Sequence, residues 1–269
     1  MRPVLITLML LLSSLASTAR AEVALLVHGY LSSAATWQAS GVNGQLIASG
    51  WRPGGIILPG YRGIQLPPPV AMAGKTFYGI ELPSTAALVV QADILSAALR
   101  ALSTRHPKES ITLVGHSAGG VAARMALVRG GVGKVGRLIT IAAPNQGTVR
   151  ALQAVDATHE SGPVGFLKDL FGGSDYYAVK DSWPVLLDLS PATPGSTLYW
   201  LNNQPQPPIH YVSIIRAAPY GLGDAVVPGA SQDLNNIPVL RGKALSIVVP
   251  ADHALTPADG AMLARLLAS

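Results

Sequence analysis

An α/β protein with a mostly parallel central sheet, covered by helices on both faces, is the fold class that this sequence predicts. Short apolar runs alternate with helical patterns along the chain, as expected for parallel strands joined by crossover helices. The runs are apolar at nearly every position, which indicates strands buried on both faces. The chain has 269 residues, of which 49% are hydrophobic and only 12% charged, so it is long enough to bury one large core.

Six apolar runs are predicted to be strands of this sheet. In chain order they are Val23–His28, Gly55–Leu58, Ile111–Val114, Arg137–Ala142, Ile209–Ile215 and Ala244–Val249. Residues Pro59 to Pro83 contain three consecutive prolines and several glycines, a composition that favours an extended loop lying over the sheet.

Three helices stand out between and after these strands. From Leu88 to Leu102, apolar residues recur at spacings of three and four, which gives one apolar helical stripe. Ser84 is the expected N-cap of this helix, and Pro107 ends it. A second helix is predicted around 121–128, and a last one around 257–267 closes the domain.

The first 21 residues have the pattern of a secretory signal peptide. Arg2 gives a positive start, an apolar run follows, and Ala19-Arg20-Ala21 is a small-x-small cleavage pattern. We therefore expect cleavage after Ala21 and a secreted or periplasmic protein. An uncleaved membrane anchor is the alternative, but the apolar run is short for a spanning helix, which needs ~20 residues.

Charge and cysteine content exclude several classes of function. The formal charge is +5, and it falls to +3 without Arg2 and Arg20. No block of basic residues occurs, so the electrostatic footprint of a nucleic-acid-binding protein is missing. The chain contains no cysteine, which excludes disulfides and thiolate metal sites.

Residues 145–208 form a long insertion between two predicted strands, where a crossover needs only a dozen or so residues. Insertions of this size often act as a lid or a binding wall. Five apolar residues from 164 to 171, Phe166 and Phe171 among them, precede Gly172-Gly173, which we interpret as a hinge. These side chains either line a substrate pocket, with Phe166 and Phe171 binding substrate, or complete the core; the sequence favours neither.

The most informative motif is Gly115-His116-Ser117-Ala118-Gly119. It follows a predicted strand and precedes a predicted helix, which is the context that a nucleophile elbow requires. The glycines on either side of the serine allow a sharp turn and close approach of neighbouring backbone. Ser117 is therefore the candidate nucleophile.

A nucleophilic serine needs a base and an orienting carboxylate. Of the six histidines, His253 follows the last predicted strand and so lies at the carboxyl end of the sheet, where ligands bind in open α/β folds. Asp224 follows the preceding strand. The rival carboxylates are Asp252, which adjoins His253, and Asp233, which lies further from the strand end. The order Ser117, Asp224, His253 is that of an α/β-hydrolase triad.

With these motifs the chain resembles α/β-hydrolases of the secreted bacterial lipase and esterase type. The matching segments are 25–29, 115–120, 141–148, 224–228 and 252–253, in the expected order. The resemblance implies an α/β-hydrolase fold over residues 22–269 as a single domain, with 145–208 as its lid or cap. It also implies that the backbone N–H groups of Tyr30 and Ala118 form the oxyanion hole.

Two features differ from the calcium-stabilised bacterial lipases: the chain lacks a cysteine pair, and Ala254-Leu255-Thr256 after His253 contains no acidic ligand. We therefore expect no metal site and no cofactor.

The residues predict a serine hydrolase that cleaves carboxylic esters through an acyl-enzyme on Ser117. The low charge and the apolar insertion favour a neutral small-molecule or lipid ester, with transient contact to a lipid interface. An acyltransferase using the same triad is the alternative, followed by a non-catalytic binding protein on this scaffold. The acyl chain length and the oligomeric state do not follow from the sequence.

Overall fold

A computed structural model describes residues 22–69, 74–130, 133–159, 181–218 and 221–268. In these residues a nine-stranded sheet forms the centre of the molecule, in the order β3-β2-β4-β1-β5-β6-β7-β8, with β9 also pairing with β7. The strands are β1 (Glu22–Val27), β2 (Arg52–Gly60), β3 (Gly63–Gln65), β4 (Thr76–Ile80), β5 (Ser110–His116), β6 (Val135–Ile141), β7 (His210–Ala218), β8 (Gly221–Leu222) and β9 (Ala244–Val249).

The main body of this sheet is parallel. Strands β2, β4, β1, β5, β6, β7 and β9 are joined only by parallel pairings. The short β3 and β8 add antiparallel pairings at β2 and β7. The predicted mostly parallel sheet is confirmed.

Nine α-helices occur in the described residues. They are α1 (Thr36–Ala39), α2 (Val42–Ala48), α3 (Leu88–Arg105), α4 (Ala118–Val128), α5 (Val149–His159), α6 (Trp183–Asp188), α7 (Thr197–Asn203), α8 (Gly229–Gln232) and α9 (Pro257–Leu266).

Helices cover the sheet on both faces, as predicted. Alternate residues of β1 face opposite sides, since side chains of a strand alternate with a period of two. Leu25 belongs to a core cluster that includes α3 and α4, whereas Leu26 belongs to a second cluster that includes α2 and α9. Both side chains are buried, and the mostly buried strands β1, β5, β6 and β7 explain their nearly continuous apolar runs. For β2 and β9 the prediction of burial on both faces was wrong, because Ile56, Leu58, Leu245 and Val248 are exposed.

The prediction of an extended loop from Pro59 to Pro83 was wrong. β3 and β4 lie in this segment, and β4 pairs with β1 and β2 in the interior of the sheet. Phe77 and Tyr78 are buried. The run from Thr76 to Ile80 carries aromatic and β-branched residues, which pack well on a pleated surface, but it is short and follows a segment rich in proline and glycine.

The predicted N-cap at Ser84 was also wrong. Helix α3 begins at Leu88, and Ala87 is its N-cap without a side-chain cap. The backbone N–H of Leu88 donates instead to Asp188 Oδ2 at 2.7 Å, so a carboxylate from α6 caps this helix across the fold. A negative charge at a helix N-terminus is favourable.

Two glycines explain how β5 turns into α4 at the predicted elbow. A Cβ on Gly115 would lie 2.4 Å from the Cα of Gly120, and one on Gly119 would lie 2.1 Å from the backbone oxygen of His28. Both distances are shorter than real Cβ contacts, and both partners are backbone. Any side chain at these positions would therefore force β5, α4 and the end of β1 apart.

We expect Gly119→Ala to lower the free energy of unfolding by ~1–3 kcal/mol, because overpacking against fixed backbone costs about this much. Gly44→Ala is the matched control, since Gly44 also lies in a helix, α2, and a Cβ there meets no atom of the described residues within 4 Å. The control should gain ~0.5–1 kcal/mol from helix propensity. Urea unfolding measures both; equal effects would contradict the steric account.

Candidate active site

Ser117 lies directly after β5, in a strained backbone conformation. Its φ of 52° and ψ of −131° are unusual for a residue with a side chain, and such conformations concentrate at functional sites. The backbone N–H of Ser117 donates to the carbonyl of Ile141 in β6 at 2.8 Å. This geometry presents the serine hydroxyl at the carboxyl edge of the sheet.

The structure brings Ser117, His253 and Asp224 together, although they are far apart in the chain. Ser117 Oγ lies 2.9 Å from His253 Nε2, and His253 Nδ1 lies 3.0 Å from Asp224 Oδ2. Because the carboxylate only accepts, Nδ1–H is the donor and Nε2 is left to accept from the serine hydroxyl. The three side chains thus have the arrangement of a nucleophile, a base and an orienting acid.

Asp224 is held by more than His253. Its Oδ1 accepts from the backbone N–H groups of Val226 and Val227 at 2.8 and 2.7 Å, and its Oδ2 also accepts from Gln232 Nε2 at 3.0 Å. Its side chain has no exposed surface. Burial acts to raise the pKa of Asp224, but the hydrogen bonds and charge of His253, with those from Val227 and Val226, outweigh burial and lower it.

The lowered pKa of Asp224 determines the pH range in which its carboxylate stabilises the folded protein. A carboxyl whose folded pKa lies below its unfolded value of ~3.9 stabilises the fold above that pH. The contribution is lost as the pH falls through the folded pKa. Asp224 is therefore a carboxylate at neutral pH, as an acceptor for His253 must be.

The rival carboxylates lie elsewhere. Asp252 Oδ1 accepts from the backbone N–H of His253 at 2.8 Å and so contacts the loop, not the imidazole. Asp233 Oδ1 accepts from the backbone N–H of Asn235 and from the hydroxyl of Ser246. In the described residues, Asp224 is the carboxylate that contacts the ring of His253.

The turn after β1 packs directly on the serine. A Cβ on Gly29 would lie 3.0 Å from Ser117 Cβ, which places the neighbouring Tyr30 beside Ser117. Ala118 is the first residue of α4, and the first N–H groups of a helix have no carbonyl partner within it. Both residues predicted for the oxyanion hole therefore flank Ser117; their role as donors stays a prediction.

His28 fixes this turn. Its Nε2 accepts from the backbone N–H of Leu82 at 3.0 Å, so Nδ1 carries the proton and donates to the Gly29 carbonyl at 3.0 Å. Burial lowers the pKa of His28, although the Gly29 carbonyl and the charge of Glu81 oppose this. A neutral, buried His28 ties β1 to the segment after β4.

Sequence reasoning missed the residues that brace the triad. Gln232 bridges Asp224 and the backbone of Arg216, whose N–H donates to Gln232 Oε1 at 2.8 Å. Arg216 also forms a buried two-bond ion pair with Asp259, at 2.7 and 3.0 Å, and reaches the carbonyl of Ala254 at 3.3 Å. The pattern from Thr256 to Asp259, a capping box in the structure, is a sequence signal that could have drawn attention to Asp259.

His116, next to Ser117, supports the loop of His253. Its Nε2–H donates to the backbone carbonyl of His253 at 2.9 Å, and its Nδ1 has no hydrogen-bond partner among the described residues. Burial, with the neighbouring His253, lowers the pKa of His116 to about 3. The side chain is therefore a neutral donor at the pH where Ser117 and His253 would work.

We expect His116→Gln to flatten the pH dependence of stability. His116 stays neutral in the folded protein but takes up a proton below ~6.5 when unfolded. Stability therefore falls as the pH drops from about 6.5 to about 3, with a slope of ~1.4 kcal/mol per pH unit from this one group. Glutamine keeps an N–H donor but does not titrate.

Urea unfolding at several pH values between 6.5 and 4 measures this slope. The exposed His210 provides the matched control, because His210→Gln also removes one histidine. An unchanged slope in His116→Gln would contradict a neutral, buried His116.

Two clefts meet at Ser117. One has a volume of about 440 Å³ and is lined by residues of the β1 turn, α1 and the His253 loop. The other is about 30 Å³ and is lined by residues of α5, α6 and the Asp224 loop. A further cavity of about 590 Å³ lies at the amino ends of the strands, near Glu22, Ser110 and His210, and is remote from Ser117.

Parts of the insertion 145–208 contact the site. Thr148, Ala151, Leu186 and Leu189 line the smaller cleft. Residues 160–180 lie outside the described residues, and with them Phe166, Phe171 and the interpreted hinge. The substrate-binding role of these two phenylalanines stays a prediction.

The described residues contain no group of three or more histidine, aspartate or glutamate side chains arranged to hold a metal ion. The same ranges contain no helix that is long and apolar enough to cross a membrane. Residues 1–21, with the predicted signal peptide, lie outside them.

Comparison with known proteins bears on the fold of the chain. Residues 76–159, from β4 to α5, match the family model of the PGAP1-like alpha/beta domain. No curated protein sequence matches the chain.

Solved structures of similar fold include lipases and esterases. A Bacillus licheniformis lipase in its mature form is 17% identical with a TM-score of 0.61, over 93% of this chain and 91% of that one. A lipase-esterase related protein from Clostridium acetobutylicum is 14% identical with a TM-score of 0.56, over 92% and 93%. A metagenomic carboxyl esterase is 15% identical with a TM-score of 0.55, over 93% and 75%. The chain has the α/β-hydrolase fold, and its structural neighbours include lipases and esterases of that superfamily.

Proposed function

We propose that the protein is a serine hydrolase that cleaves neutral carboxylic esters through an acyl-enzyme on Ser117. The observation that carries this proposal is the continuous hydrogen-bonded series from Ser117 Oγ through His253 to the buried Asp224. Ser117 and His253 line a cleft, and the fold of the chain is similar to that of a lipase.

The first half of the reaction forms the acyl-enzyme. His253 Nε2 takes the hydroxyl proton as Ser117 Oγ bonds to the ester carbonyl carbon. The N–H groups of Tyr30 and Ala118 donate to the oxygen on which negative charge develops. The bond from carbon to the alcohol oxygen then breaks, its electron pair stays on that oxygen, and His253 returns the proton to it.

The second half repeats these steps with water. His253 takes a proton from water, the resulting oxygen attacks the acyl carbon, and Ser117 leaves with the proton. Asp224 fixes the tautomer of His253 and stabilises the imidazolium throughout. Gln232 and the backbone N–H groups of Val226 and Val227 keep the carboxylate in place.

We propose further that residues 22–269 form one domain in which 145–208 is a cap over Ser117. Ala151, Leu186 and Leu189, which line the smaller cleft, support this. We also propose export with cleavage after Ala21; an exported protein whose intact mass includes Met1 would contradict it.

Hydrolysis of neutral esters by purified protein of residues 22–269 tests the proposed activity. Release of acid and alcohol in equal amounts, lost in Ser117→Ala, is expected. Addition of a second alcohol distinguishes hydrolysis from acyl transfer, because a transferase would form the new ester in preference to the free acid. Failure to cleave any ester would contradict the proposal.

A further inference from the structure

The two clefts at Ser117 differ in size and in their contact with the base. Tyr30 and Ser117 line both clefts, so the two clefts meet at these residues. The Tyr30 hydroxyl oxygen lies 2.5 Å from Ser182 Oγ at the start of α6, which ties Tyr30 to the insertion. An ester bound at Ser117 must place its acyl group in one cleft and its alcohol in the other.

The position of His253 decides which group enters which cleft. His253 must deliver its proton to the alcohol oxygen that leaves, so the alcohol lies on the side of the imidazole. The larger cleft is lined by His253 and by the next two residues, Ala254 and Leu255. His253 is not among the residues that line the smaller cleft. The alcohol therefore extends into the larger cleft, and the acyl chain enters the smaller one.

The smaller cleft limits the acyl chain. Its volume of about 30 Å³ is far below the volume of about 440 Å³ of the larger cleft, so it is much the narrower of the two. Its walls include Ala151, Leu186, Leu189 and Val227, which are at most 4% exposed. Side chains packed this closely do not yield to an added methylene without strain.

The larger cleft has a different chemistry, because hydroxyl groups line it. Ser32 and Thr36 lie 2.6 Å apart through their hydroxyl oxygens, and this bond uses one of their two hydroxyl hydrogens. The other hydrogen is able to donate to a ligand. Ser40 Oγ donates to the Trp37 carbonyl at 3.3 Å, so its lone pairs are able to accept.

We propose that the substrates are esters of short acids with larger alcohols that carry further hydroxyl groups. This inference rests on the proposed ester hydrolase function and assigns its substrate class. The acyl side and the alcohol side meet at Tyr30 and Ser117.

A two-way substrate series tests the assignment. With 4-nitrophenol as the fixed alcohol, we expect kcat/KM for the octanoate to be at least ~10-fold below that for the butyrate, since one misfitting methylene already costs about this much. With acetate as the fixed acid, an acetylated sugar should be cleaved at least as well as ethyl acetate. A preference for octanoate, or for the small alcohol, would overturn the assignment.

Matched cavity variants test which residues set this limit. Leu186→Ala enlarges the smaller cleft and should raise the octanoate to acetate ratio by ~10-fold or more. Leu255→Ala makes the same change in the larger cleft and should leave the octanoate to acetate ratio within about two-fold of that of the unchanged protein. It should instead change how kcat/KM depends on the alcohol. Equal shifts in both variants would overturn the assignment.

Ala151→Leu provides an independent check if Leu186→Ala does not fold. It fills the smaller cleft and should lower the butyrate to acetate ratio. No change in this ratio would overturn the assignment.

These outcomes separate the two proposals. Octanoate cleavage that depends on Ser117 and equals acetate cleavage would leave the hydrolase in place and overturn the cleft assignment. Absence of all ester cleavage by the folded protein would overturn the hydrolase itself, and the cleft assignment with it.

Discussion

Replacing Ser117 by alanine is expected to lower the turnover of a cleaved ester by ~10⁶, the size of loss seen when the nucleophile of such a triad is removed. The reason is that, in the proposed mechanism, Ser117 Oγ, which lies 2.9 Å from His253 Nε2, forms the covalent bond to the acyl group. Initial rates with a chromogenic ester at saturating concentration measure the effect.

Ser49→Ala is the matched control for this substitution. Ser49 is exposed and its hydroxyl donates to the Gln45 carbonyl at 2.9 Å, after helix α2. Turnover in this variant should stay near that of the unchanged protein. Near-normal turnover in Ser117→Ala would remove the mechanism.

Asp224→Asn is expected to lower turnover by ~10⁴ while the fold stays intact. The carboxylate accepts from four donors, among them His253 Nδ1. An asparagine amide nitrogen at the Oδ2 position would donate to Nδ1, and the imidazole proton would then lie on Nε2. A protonated Nε2 cannot accept the hydrogen of the Ser117 hydroxyl. Steady-state kinetics at neutral pH, where Asp224 is ionised, measures the loss.

Asp252→Asn tests the same change at the neighbouring carboxylate. Asp252 contacts the backbone N–H of His253 and not the ring, so its replacement should change turnover by less than about ten-fold. A larger loss in Asp252→Asn than in Asp224→Asn would assign the orienting acid to Asp252 instead.

The sequence was most informative where a short stretch of residues itself determines the structure, as in the strands and at the turn around Ser117. All six predicted strands occur. Four of them, β1, β5, β6 and β7, are mostly buried and their side chains face one of two cores, whereas β2 and β9 are mostly exposed or half-buried. The nucleophile elbow was readable because Gly115 and Gly119 meet backbone at distances that no side chain tolerates. The contact of Asp224 with His253 was anticipated from their positions after neighbouring strands.

What the sequence could not predict depends on contacts between distant residues. The cap of α3 comes from Asp188, one hundred residues further along the chain, so the local candidate Ser84 was misleading. Strand β4 is short, and only its neighbours β1 and β2 give it a central place in the sheet. Gln232 braces Asp224 by a side chain whose position depends on α8.

Site-mapped labelling by a fluorophosphonate tests the central claim most directly. This reagent phosphonylates a serine oxygen that an adjacent base activates, and it releases fluoride. Intact mass and peptide mapping of the folded protein should find one adduct, located on Ser117, and Ser117→Ala should carry none. Ester hydrolysis without an adduct, or an adduct on another residue, would contradict the assignment of Ser117 as the nucleophile.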